Sequence, residues 1–157
     1  MRGAGALRRN IPMVVLVAVA AAGCVMGSQR IIGTGDLVFD RQRLGRMQEA
    51  QLGEIRSKFQ AGNIQGMAVN AEAIAITAMQ IPSLFPEGSL TERSRARPEI
   101  WQRWSEFEAA AKNLTIWSER LRDAAQARDE RIVRDVMKDF DRVACGACHE
   151  TFRKPLP

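Results

Sequence analysis

Residues 129–154 read DERIVRDVMKDFDRVACGACHETFRK, and this stretch decides how the chain folds. Ile132, Val136, Phe140 and Val143 recur at steps of three and four, the period of one apolar face of an α-helix. The pattern runs on through Cys145-Gly146-Ala147-Cys148-His149 to Phe152, and Pro155 closes it. Cys-x-x-Cys-His is the attachment signature of a c-type haem, and here it holds the only histidine of the chain. Cysteines at i and i+3 sit on neighbouring turns of one helix face, so both thiols can reach the two vinyl groups of one porphyrin. The adjacent histidine offers a neutral imidazole to the iron. The expectation is one covalent haem c per chain, bound through Cys145 and Cys148 with His149 on the iron.

Other uses of the motif fare worse. A zinc site needs about four protein ligands, and the only other Cys or His is Cys24. A redox Cys-x-x-Cys belongs beside a βαβ pattern, and no strand pattern is present. Nucleic-acid binding has no support from charge. The formal charge is +5, but Arg2, Arg8 and Arg9 fall in the first nine positions; without them 20 basic residues face 18 acidic ones, a net of +2. Two haem propionates would roughly cancel that balance.

The N-terminus has the order of an export signal. Arg8 and Arg9 precede an apolar run from Ile11 to Ala22. At about 1.5 Å per residue this run is short for a hydrocarbon core of ~30 Å. Ala21-Ala22-Gly23-Cys24 is similar to a bacterial lipobox, with Ala where Leu is usual, so Cys24 is a candidate lipid anchor. Lipoprotein, cleaved soluble protein and uncleaved anchor stay open, and each places the domain in the periplasm. The division is residues 1–23 as signal peptide or membrane anchor, 24–35 as a flexible tether with three glycines, and 36–157 as the folded domain.

The folded part is helical by period throughout. A first helix is expected over about Asp36 to Ala61, with Leu37, Leu44, Met47, Leu52, Ile55 and Phe59 inward and Gly62 as its stop. A second runs from Asn63 to Gln80 and ends at Pro82. The third starts at Pro98 and reaches Ala127, with Ile100, Trp104, Phe107, Ala111, Leu114 and Leu121 inward. The fourth runs from Asp129 through the haem motif. Short gaps between helices one and two, and three and four, force antiparallel neighbours, while Ile81 to Arg97 forms one long connection. The fold class is an all-α antiparallel four-helix bundle with covalently attached haem c near the C-terminus.

At this point the chain resembles the class II c-type cytochromes, the cytochromes c' and their low-spin relatives, over about Asp40 to Lys154. The resemblance rests on the motif at the end of the last helix, followed by Phe152 and Arg153, and on Ile81-Pro82-Ser83-Leu84-Phe85-Pro86 and Arg97-Pro98-Glu99-Ile100-Trp101. It implies the bundle as well as the periodicity does. In the low-spin branch a first-helix methionine binds iron opposite the histidine, with an arginine four residues earlier. Met47 and Arg43 have that spacing, which makes Met47 the candidate second ligand and Arg43 a candidate propionate partner. From Met47 to Gly62 the segment is about one residue shorter than in typical members.

Arg153, one turn beyond His149, is a candidate for holding a charge near the imidazole or a propionate. Trp101, Phe140 and Phe152 are candidates for the apolar haem wall. The expected function is a mono-haem, one-electron carrier of the bacterial cell envelope, working with redox partner proteins there. The alternative is a five-coordinate cytochrome c' that binds nitric oxide or carbon monoxide. A bundle that haem only stabilises is a third reading. No proton relay or nucleophilic constellation is visible, so no enzyme is expected. A homodimer, common in the family, and a tethered monomer both fit the chain.

Overall fold

Asp36 starts the first helix: its carboxylate accepts from the N–H groups of Val38 and Phe39 at 3.0 and 3.1 Å, satisfying donors that the helix leaves open. The structure, a computed structural model, describes residues 34–155. The export segment, the lipobox and nearly all of the tether lie outside the described residues. Helix α1 (Leu37–Gln60) ends where expected. Gly62 takes φ +70°, and the N–H of Asn63 returns to the Lys58 carbonyl at 2.9 Å.

The second helix is shorter than its pattern. A 3₁₀ turn over Gln65–Met67 precedes α2 (Ala68–Ala78). The Asn63 side chain accepts from the N–H of Gly66 at 3.1 Å, a local bond that competes with helix at that end. Lys58 meets Gly66 and Asn70, Gln51 meets Asn70, and Gln48 meets Thr77, so the pairs descend α1 as they climb α2. The two helices are therefore antiparallel.

The third helix comes in two pieces, α3 (Glu99–Gln102) and α4 (Trp104–Gln126), with Arg103 at φ −124°, ψ 45° between them. The break leaves Trp101 free to donate from its indole N–H to the Phe85 carbonyl at 3.0 Å while Trp104 packs on Phe107. The fourth begins as α5 (Glu130–Asp139), capped by the Asp129 carboxylate on the N–H of Ile132. It then widens into a π-helix over Phe140–Gly146 before closing as α6 (Ala147–Phe152). With these breaks, the architecture is the expected four-helix bundle.

Helix α2 packs most extensively on α4, with α1 on one side and α5 on the other. Ile55, Ile64, Met67, Ala71, Ile74, Leu114, Leu121, Val133, Val136 and Phe140 form the main apolar cluster. A smaller cluster gathers Ala96, Ile100, Phe107 and Phe152 at one end. Among the described residues the only strand-like pairing is the antiparallel bridge of Ala96 to Arg153, made by Arg97 N–H to Phe152 O at 3.0 Å and Lys154 N–H to Arg95 O at 2.7 Å. It fastens the end of α6 to the long connection.

Along α1 the inward set differs from its pattern. Ile55 is buried and Leu44, Leu52 and Phe59 are half-buried, but Met47 is 48% exposed. Val38 and Asp40 take buried places instead. Asp40 is only 3% exposed because it accepts from the N–H and hydroxyl of Thr34 at 3.0 and 3.3 Å, fixing the chain that enters the helix.

Candidate haem site

The π-helix sets the direction of the motif. Val136, Phe140, Ala144, Cys148 and Phe152 follow one another at steps of four. In a 3.6-residue helix each such step drifts about 40° round the axis, and wider π turns hold the series on one side. The Ala147 N–H reaches back five residues to the Arg142 carbonyl. Glycine eases the same turn at 146, since a Cβ there would stand 3.3 Å from the Asp141 carbonyl oxygen.

Cys145 then packs on the main cluster and Cys148 on the smaller one, so the motif sits where the two apolar clusters meet. Burial pushes both thiols up, Cys148 to about 11 with help from its neighbour Cys145. Before haem is attached, both are therefore neutral thiols at neutral pH. The ring of His149 reaches solvent on one side, yet its partial burial and the charges of Arg153 and Arg95 push its pKa down to about 4. At neutral pH it is an uncharged imidazole with a lone pair for a metal.

The wall beside Cys148 is aromatic. Phe107 stands at its centre, with ring centroids 4.9 Å from Phe85 and 5.5 Å from both Trp104 and Phe152. Arg41 lies over Phe85 at 4.0 Å and donates to the carbonyls of Leu84 at 2.8 Å and Ser89 at 3.2 Å and to the Ser89 hydroxyl. Arg41 thereby ties α1 to the connection that carries part of the wall. Replacing Arg41 by methionine is expected to cost about 1–3 kcal/mol by leaving two part-buried carbonyls without their donor; urea unfolding measures it.

Arg153 lies beside His149 and Cys148, and Glu49 on α1 is near enough for its charge to act on it. Arg95 donates to the Lys154 carbonyl at 2.7 Å, while its Nε is buried with no partner. Across the motif, Arg56 on α1 pairs with Asp141. Yet α1 packs its backbone on α2 and the short turns, while the motif packs on α4. Long side chains, not backbone packing, span the space between α1 and the motif. Two thiols one turn apart, a neutral imidazole, an apolar wall and an orphaned guanidinium nitrogen beside that space are a donor set that fits a porphyrin with two carboxylates.

Met47 and Arg43, expected at this site, are placed elsewhere. Arg41, Gly45, Glu49, Leu52 and Arg56 make one stripe of α1, and three of its members touch or face the motif's surroundings. Met47 stands two residues from both Gly45 and Glu49, about 200° round a helix of 100° per residue, and is 48% exposed. Arg43 lies 3.7 Å from Asp40 at the surface. Arg41 and Gly45 share the four-residue spacing that had singled out Arg43 and Met47. The sequence signal was the buried Val38, which with Arg41, Gly45 and Leu52 keeps the helical step. Arg153 lies near enough to His149 for its charge to act on the ring, Trp101 and Phe152 belong to the wall, and Phe140 sits in the main cluster beside Cys145.

The family model described as cytochrome C' matches residues 36–153, the whole bundle with its motif. The chain belongs to the cytochrome c' family. Haem c is accordingly its cofactor, with Cys145 and Cys148 as the candidate attachment residues. Cytochrome c-554 of Cereibacter sphaeroides is 32% identical over 83 residues, 51% of this chain and 53% of that one. Cytochrome c' of Pararhodospirillum photometricum is 33% identical over 88 residues, 55% of this chain and 70% of that one. The matched part spans about half the length of the first relative. Among solved structures, a nitric oxide complex of a mutant cytochrome c' from Alcaligenes xylosoxidans has a TM-score of 0.68 at 23% identity, covering 81% of this chain and 100% of that one. At that identity the likeness speaks for the cytochrome c' fold.

Proposed function

We propose that this protein is a mono-haem cytochrome c' of the cell envelope whose iron takes its one protein ligand from His149 and binds a diatomic gas, nitric oxide or carbon monoxide, on the opposite side. What supports the reading is the position of Met47 on α1, about 200° round the helix from the stripe of Arg41, Glu49 and Arg56 and 48% exposed. The other methionines of the bundle offer no substitute: Met67 is fully buried in the main cluster, Met79 is exposed just after α2, and Met137 packs on the main cluster. The nitric oxide complex of the Alcaligenes relative supports the same chemistry.

The haem, when bound, supplies an iron with one open position. The chain's own residues do the rest. His149 is held uncharged, the Phe107 cluster keeps water from the Cys148 side, and Arg95 and Arg153 place positive charge that favours reduced iron. Envelope redox proteins would return ferric iron to the ferrous state. Residues 1–23 and Cys24 put the domain in the periplasm, with or without a lipid tether. Exposed Met47 on α1 and Val69 and Ile76 on neighbouring α2 give a homodimer an apolar face.

Visible and near-infrared spectra of the purified protein test this. The expected ferric and ferrous forms are high-spin, and the ferrous form takes up carbon monoxide readily. Low-spin spectra with a thioether charge-transfer band that disappears in Met47→Ala would overturn the reading. They would restore the His149–Met47 electron carrier, which needs α1 rotated by about half a turn.

A further inference from the structure

We infer that Asn113 is a positioning residue for the haem motif: from α4, its side-chain amide holds the widened helix that aims Cys148 and His149. The inference rests on His149 as an iron ligand, which the gas-binding and electron-carrier readings share, and it goes beyond both.

The π-helix leaves one carbonyl in need of a donor. In an unbroken α-helix the Ala147 N–H would bond four residues back to Val143, but here it bonds five back to Arg142. The Val143 carbonyl, two residues before Cys145, so loses its helical donor where the wide turns give way to α6. A part-buried carbonyl in that position costs free energy unless another donor reaches it. Asn113 supplies one, its Nδ2 donating to the Val143 oxygen at 2.9 Å across a separation of 30 residues. The acceptor is a carbonyl, so the amide must present its nitrogen.

Among the described residues this is the one hydrogen bond that another helix sends to the backbone of the π-helix. The bond of Arg56 reaches only the Asp141 side chain, as an exposed ion pair of small worth. Asparagine is a weak helix former inside a 23-residue helix, so propensity does not account for it. Thr115 and Ser118 on the same helix turn their hydroxyls back to its own carbonyls, those of Ala111 at 3.3 Å and Leu114 at 2.8 Å. Only the longer amide crosses to the neighbour, and it does so without adding a charge beside the motif. With the bond made, the wide register has a donor for its displaced carbonyl. Without it, the helix gains by slipping toward ordinary turns, which swings Cys148 and His149 round the axis.

Three variants of the haem-loaded protein test this: Asn113→Leu, of similar shape without the donor; Asn113→Gln, which keeps the donor; and Ser118→Ala, which loses only a local bond. Hydrogen exchange over residues 140–149 reads the π-helix, circular dichroism in the Soret band the seat of the haem, and redox titration the potential. Asn113→Leu is expected to speed exchange in that segment on the order of tenfold, with little change elsewhere. It should also alter the Soret dichroism and lower the potential, as water reaches the haem beside a loosened motif. Asn113→Gln is expected to stay near the wild type, and Ser118→Ala to leave dichroism and potential unchanged even where it lowers thermal stability. An Asn113→Leu variant that loses stability but keeps the dichroism, the potential and the local protection of the wild type overturns the role. Should Asn113→Leu fail to load haem, Asn113→Ala serves, with the same directions expected and unchanged exchange over 140–149 overturning the role. The spin state of the wild type decides between gas binder and electron carrier and enters none of these comparisons, so either inference can fail while the other stands.

Discussion

Exchange of Cys145 and Cys148 together for alanine is expected to leave a chain whose haem passes entirely into acidified organic solvent, while the wild type keeps all of its haem in the protein phase. The two thioethers are the only covalent bonds the motif can make to the porphyrin, and His149 by itself holds the iron reversibly. Haem retained by the double variant would refute attachment at these residues. Each single variant should retain haem through one bond. The pair does not act alike on the fold, because Cys145 packs on the main cluster and Cys148 on the aromatic one. Cys148→Ala is therefore expected to disturb the aromatic wall, and Cys145→Ala the seat of the π-helix.

Phe107→Ala is the substitution expected to cost the bundle most. Its ring is 2% exposed and touches Phe85 from the long connection, Trp104 beside the break in the third helix, and Phe152 from the end of α6. Truncation removes the contact shared by three segments and leaves a cavity that no neighbour on a fixed helix can fill, at a cost of about 3–5 kcal/mol. Urea unfolding of the haem-loaded protein should show a midpoint lowered by that amount. The loss should also appear in the spectrum, because the wall beside Cys148 collapses. A cost below about 1 kcal/mol would mean that the smaller cluster is not a second core.

Much of this architecture is legible in the residues themselves. Asp36 and Gly62 bracket α1 as a cap and a stop should, and the Cys145 to His149 motif needs no fold to be recognised. What the period could not show were departures from regular helix. The break at Arg103 is invisible in a series of apolar positions because Ile100, Trp104 and Phe107 keep their spacing through it; the cause is a tryptophan indole reaching a carbonyl in another segment. The direction in which α1 faces is another quantity that periodicity leaves open. Met47 was singled out by the chemistry of its sulfur, whereas the direction of a helix is fixed by its long-range anchors, here Arg41 and Arg56, each bonded to partners more than forty residues away.

The π-helix over Phe140–Gly146 makes length, more than composition, the quantity this part of the chain must conserve. A surface side chain such as Arg142 can change identity with little effect on where Cys148 and His149 point. Losing or gaining one residue there would restore or exaggerate the ordinary turn and swing the whole motif by about 100°. Over generations such a segment accepts exchanges of residues and rejects insertions and deletions. It works as a ruler between the end of the core and the cofactor.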